Sequence, residues 1–102
     1  MLAGCVANPA GDAAGGPKVF AMACARCHGD HGKPPEAMVQ TIAVRDLTDP
    51  AFRKRVTAEL VEKQVRKGSA NKLMPAFDGA LTDAQIIQVA NWVSSDAFLS
   101  QK

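Results

Sequence analysis

The pentapeptide Cys24-Ala25-Arg26-Cys27-His28 decides how this chain is read. Its form is Cys-x-x-Cys-His, the attachment signature of a c-type haem. Two thiols one helical turn apart can each form a thioether with a haem vinyl group. The imidazole that follows at once can reach the iron from the same side. Two other chemistries use similar residues. A thioredoxin-like dithiol expects a preceding strand and a parallel sheet, and no strand pattern stands out. A structural zinc site needs four ligands, and only Cys5 and His31 remain, at unsuitable spacings.

Composition agrees with a chain that needs a cofactor. With 102 residues it suffices for one small domain, a size at which a thin core often needs help from a metal, cofactor or disulfide. Hydrophobic residues make up 47%, but there are only four Phe, one Trp and no Tyr. A haem would supply the large apolar body this core lacks. The formal charge of +2 gives no sign of nucleic-acid binding. No apolar run approaches the roughly 20 residues that span a bilayer. Covalent haem attachment takes place outside the cytoplasm in bacteria, so the motif predicts a periplasmic location or the extracytoplasmic face of a bacterial membrane.

Residues 1–16 are rich in Ala, Gly, Asn, Pro and Asp, and read as a flexible N-terminal tail or tether. Leu2-Ala3-Gly4-Cys5 matches a bacterial lipobox, which makes Cys5 a candidate lipid anchor; the plain alternative is a free thiol on a loose tail. Residues 17–102 form the predicted domain. A first helix begins near Pro17, a good first helical residue, and runs to the cysteines with Val19, Phe20 and Ala23 on one face. Gly29 and Gly32 break it. Residues 36–42 can form a short helix. Asp49 or Thr48 caps another that starts at Pro50. Thr57 opens a further helix with Ala58, Leu60, Val61 and Val65 as its apolar stripe and Gly68 as its stop. Thr82 and Gln85 form a capping box ahead of a last helix ending near Ser95 or Leu99. Its apolar face is Ile86, Val89, Ala90 and Val93, with Trp92 at the edge.

His28 is the expected proximal ligand. A ligating imidazole usually gives its second ring proton to a carbonyl or carboxylate, and the rigid Pro34-Pro35 segment is the candidate source. The sixth ligand should come from far along the chain. His31 follows His28 too closely to cross to the other face, Met22 precedes the cysteines within a helix, and Met38 is close in sequence to His28. Met74 lies between helices and is stiffened by Pro75, so it is the candidate axial ligand. His28 with Met74 leaves no open iron position and points to electron transfer rather than catalysis.

The pattern resembles the class I cytochrome c family, the small monohaem type, over about residues 16–97. Its anchors are Cys24-Ala25-Arg26-Cys27-His28-Gly29, Gly68, Met74-Pro75-Ala76-Phe77 and the Leu81–Gln85 start of the final helix. Gly16 and Phe20 resemble the family's Gly and aromatic pair. The resemblance implies an all-α fold of three to five helices around one covalent haem c, held by Cys24, Cys27, His28 and Met74. It implies close crossing of the first and last helices near Gly16 and Phe20. It also implies a one-electron carrier, an electron-transfer protein and not an enzyme, that serves redox partner proteins as a monomer. The loop from His28 to Thr48 is short for the mitochondrial type and closer to small bacterial carriers or appended haem domains.

Arg53, Lys54, Arg55, Lys63, Arg66, Lys67 and Lys72 outweigh Glu59 and Glu62 between residues 51 and 75. Basic groups beside an exposed haem edge would steer an acidic redox partner. Arg26 and Lys72 are the expected rim residues, and Arg53 to Arg55 the expected solvated helix face. Two other functions stay open: a haem domain of a larger redox enzyme, and a sensor or peroxidase-like protein with a labile sixth ligand.

Overall fold

A computed structural model describes residues 7–101. It contains seven helices: α1 (Gly16–Ala23), α2 (Ala25–His28), α3 (Glu36–Ile42), α4 (Pro50–Arg55), α5 (Ala58–Lys67), α6 (Asp83–Ser94) and α7 (Asp96–Ser100). Among the described residues, extended pairing is limited to one isolated bridge between Asp78 and Leu81. The fold is all-α, as the sequence predicts. The helix number exceeds the predicted three to five because two helices are broken. Cys24 separates α1 from α2, and Ser95, in extended conformation, separates α6 from α7.

The helix ends follow local chemistry. Asp49 accepts from the Phe52 N–H ahead of α4, with Pro50 at the first position. Thr57 accepts from the Leu60 N–H ahead of α5. The Thr82–Gln85 capping box is formed in both directions.

The core sits where α1 and α5 pack on α6. Val19, Phe20, Ile86, Val89, Ala90 and Val93 are all buried. Gly16 is the contact point of α1 and α6. A Cβ there would lie 2.3 Å from the Trp92 Cβ and 2.5 Å from the Gln88 carbonyl oxygen, so only glycine allows this approach. Phe98, fully buried on α7, closes the core with edge-to-face contacts to Phe20 at 5.3 Å and Trp92 at 5.8 Å.

Two expectations are corrected. The loose tail over residues 1–16 does not extend to its second half. Ala10 is fully buried, and Gln85 donates to the carbonyls of Gly11 at 3.1 Å and Ala13 at 3.0 Å while accepting from Asn8 at 2.9 Å. The Gly15 N–H donates to Gln88. Polar side chains on α6 thus satisfy a segment that has no secondary structure of its own. Cys5 lies outside the described residues. Arg53 is not a solvated side chain either. It donates to the carbonyls of Leu47 (3.2 Å), Val93 (2.7 Å) and Ser95 (3.0 Å), and its guanidinium lies 5.5 Å from the Phe98 ring centre. It satisfies the last carbonyls of α6, which lack helical partners.

Candidate functional site

A cleft of about 330 Å³ opens between α1, α2, α5, the 42–47 segment and the 69–77 loop. That volume falls in the usual range for cofactor sites. Phe20, Leu47, Phe52, Val61, Val65 and Phe77 give it an apolar floor. Cys24, Cys27, His28 and Met74 all line it. Residues about 50 positions apart in sequence therefore share one cavity, which the tertiary fold alone can achieve.

The cysteines sit at the junction of α1 and α2. The Cys24 N–H bonds to the Phe20 carbonyl at 2.9 Å, and the His28 N–H bonds to the Cys24 carbonyl at 3.0 Å. This continuous turn carries both thiols and the imidazole. Gly29 ends it at φ 84°, and a Cβ there would sit 2.1 Å from the Lys33 carbonyl oxygen. Burial, helped by the neighbouring Cys27, pushes the Cys24 thiol up to about 12. The reactive thiol of a disulfide-exchange dithiol is shifted the other way.

The His28 Nδ1–H donates to the Arg45 carbonyl at 3.0 Å. The carbonyl can only accept, so the proton is on Nδ1 and the Nε2 lone pair is free. The acceptor expected at Pro34-Pro35 is therefore corrected to Arg45. The cause is the return of the chain: Ala43 turns it at φ 55°, and the Leu47 N–H bonds to the Gly32 carbonyl at 2.8 Å. This lays residues 43–47 beside His28. Burial lowers the His28 pKa, more than the carbonyl bond raises it, and the positive charge of Arg45 lowers it further. A neutral imidazole is the form that binds a metal.

Met74 is half-buried in the 68–77 loop. The Phe77 N–H ties the loop to the Val65 carbonyl at 2.9 Å, and Gln64 Nε2 ties it to the Gly68 carbonyl at 2.6 Å. Gly68, at φ 74°, lies so close that a Cβ would be 2.5 Å from the Met74 carbonyl oxygen. Met22 and His31 are exposed, and neither they nor Met38 line the cleft.

Arginines reach the site in an arrangement that the sequence did not reveal. Arg45 and Arg55 line the cleft and lie on the Phe52 ring, each 5.4 Å from its centre. Arg26 and Lys72, the expected rim residues, are exposed and outside the lining. Arg66 is occupied by Glu62 (3.1 Å), Asp78 (3.1 Å) and Asp83 (2.9 Å).

The donor set and the cleft fit a haem. Two thiols and a neutral imidazole share one wall, the floor is apolar, and the two guanidiniums in the lining carry the charge that would balance propionates. Among the described residues no group of three or more His, Cys, Asp or Glu side chains is arranged to hold a bare metal ion. Fold and site together define a small c-type cytochrome. The family described as cytochrome c oxidase, cbb3-type, subunit III matches residues 11–93, and the chain belongs to it. Membership implies one covalently bound haem c. Cytochrome c6 of Leptolyngbya boryana is 38% identical over 86 residues, which cover 84% of this chain and 94% of that protein. Cytochrome c6 of Euglena gracilis is 33% identical over 85 residues, covering 81% and 91%. Among solved structures, the KustC0563 c-type cytochrome superposes with a TM-score of 0.68 over 78% of this chain and 94% of its own, at 22% identity. That likeness concerns the fold.

Proposed function

We propose that the protein is a one-electron carrier whose haem iron is held between His28 and Met74, with thioethers at Cys24 and Cys27. The observation that carries this reading is the convergence of these four side chains on one apolar cleft. When bound, the haem supplies the Fe(III)/Fe(II) couple. The protein's own part is to orient and exclude. The Arg45 carbonyl fixes the His28 ring through Nδ1 and leaves Nε2 as the atom that would bind the iron. The apolar floor excludes water. Arg45 and Arg55, which line the cleft, would offset the charge of the propionates. With His28 and Met74 both as ligands, the iron would have a raised reduction potential and no open coordination position, which would suit transfer and not peroxide or oxygen chemistry.

The relatives named cytochrome c6 support the carrier reading. Attachment chemistry favours an extracytoplasmic location, and no helix among the described residues is long and apolar enough to cross a membrane. The family's description as an oxidase subunit favours a second reading, a haem domain that works within a larger redox assembly.

Met74→Ala tests the ligand assignment. It should abolish the weak red absorption band of thioether-bound ferric iron and let the ferrous protein take up carbon monoxide. An unchanged band in Met74→Ala would sink the assignment. Uptake of carbon monoxide by the unaltered protein would favour a sensor or catalyst.

A further inference from the structure

We infer that Ser69 and Asn71 form a clamp that positions Met74, and that this clamp decides how firmly the sixth coordination position is held against added ligands. The inference rests on the reading of Met74 as an axial ligand.

Ser69 grips Met74 from both sides of its backbone. The Ser69 N–H donates to the Met74 carbonyl at 3.0 Å. The Met74 N–H donates to Ser69 Oγ at 3.0 Å. The hydroxyl in turn donates to Asn71 Oδ1 at 2.6 Å, and the same oxygen accepts the Leu73 N–H at 3.0 Å. Both orphan groups of the Met74 backbone are thus spent on one serine, and that serine is held by one asparagine.

The clamp is anchored to a helix. Ser69 follows Gly68, whose carbonyl accepts from Gln64 on α5. Between the jaws the chain makes a tight turn, with the Lys72 N–H bonded to the Ser69 carbonyl at 3.0 Å and Lys72 itself at φ 65°. A non-glycine residue in that region is strained, and the clamp is what holds it there. A methionine has three rotatable side-chain bonds and is inherently adaptable. Fixing its Cα relative to α5 removes the backbone part of that freedom before ligation, so less ordering opposes the bond.

The mechanism predicts competition. A loosened Met74 yields more readily to an incoming ligand. Imidazole binding to the ferric holoprotein is the probe. Ser69→Ala should bind imidazole about fivefold more tightly, the weight of roughly one net hydrogen bond. Ser69→Thr keeps the hydroxyl and should restore the original affinity. Asn71→Ala, at an exposed position, should move in the same direction as Ser69→Ala without endangering the fold. In a Met74→Ala background the Ser69 change should have no effect, because no thioether remains to be displaced. Unchanged imidazole affinity in both Ser69→Ala and Asn71→Ala would overturn the clamp while leaving Met74 as ligand. A Ser69 effect that persists in the Met74→Ala background would overturn it too. If Met74→Ala itself left the red band and imidazole affinity as they were, the ligand reading would fall and the clamp with it.

Discussion

The Arg53 side chain spans 40 residues to donate to the Val93 carbonyl at 2.7 Å, joining α4 to the end of α6. Two further carbonyls, of Leu47 and Ser95, share the same guanidinium, which also lies on the Phe98 ring. Burial lowers the Arg53 pKa, but an arginine so placed stays charged across the accessible pH range. The interaction therefore does not titrate, and its strength should be read by substitution.

Arg53→Ala removes three charge-assisted bonds and uncovers Phe98. The expected cost is about 3 kcal/mol. Arg53→Lys should recover only part of it, because one ammonium cannot match the planar fork that reaches three carbonyls. Denaturant unfolding of the holoprotein, followed by far-ultraviolet circular dichroism, measures both. Equal stability of the Lys and Arg forms would contradict the fork geometry.

Gly16 and Gly79 separate crowding from backbone strain. Gly16→Ala would drive a methyl into the Trp92 Cβ and the Gln88 carbonyl, forcing α1 and α6 apart. A loss of about 3 kcal/mol is expected. Gly79 has φ 88°, but an added methyl would meet nothing within 4 Å, so Gly79→Ala should cost only the left-handed strain, about 1–2 kcal/mol. Thermal unfolding of the two holoproteins decides it; the reverse ranking would mean that the helix crossing can relax.

These features differ in how far they could be read from sequence. Cys24, Cys27 and His28 lie within five residues, and the Asp49, Thr57 and Thr82 caps act over three, so each signal is complete in a short window. Gly16 was legible through resemblance. Other contacts had no local signature. Arg45 offers a backbone carbonyl, which any residue could supply, and it reaches His28 only because the chain turns back at Ala43. Arg53 read as one of a basic trio because its carbonyl partners are distant. The last helix was expected to end near Ser95 or Leu99, with no role given to Phe98; a break at Ser95 folds that ring into the core. The docking of residues 8–15 depends on Gln85, whose sequence signal was only that of a capping box, and on Gln88, which carried no signal of its own.

Gln85 is buried and holds the N-terminal segment through Asn8, Gly11 and Ala13 while also serving the capping box. Gln85→Ala should cost about 2 kcal/mol and free residues 8–15. Native-state amide exchange would show the release as loss of protection at Ala13, whose N–H bonds to the Ala10 carbonyl, while α5 stays protected. Retained protection at Ala13 would mean that the burial of Ala10 and the Gly15–Gln88 bond hold the segment without Gln85.

Arg55 lines the cleft from α4 and Arg45 from the returning segment, so both bring positive charge to the place where the haem would sit. A cation there opposes the extra charge of ferric iron and favours the ferrous state. Arg55→Gln should therefore lower the reduction potential, on the order of tens of millivolts at low salt. The shift should shrink as salt is raised, because screening shortens the reach of a partly exposed charge. Lys63→Gln removes the same charge from an exposed position outside the cleft and serves as the control. Potentiometric titration of both variants at two ionic strengths makes the comparison. If the two potentials move together, only net charge matters and the Arg55 placement has no bearing on the iron. If Arg55→Gln moves alone, the cleft arginines tune the couple, and the same variants can then be tested for the salt dependence of electron transfer to an acidic partner.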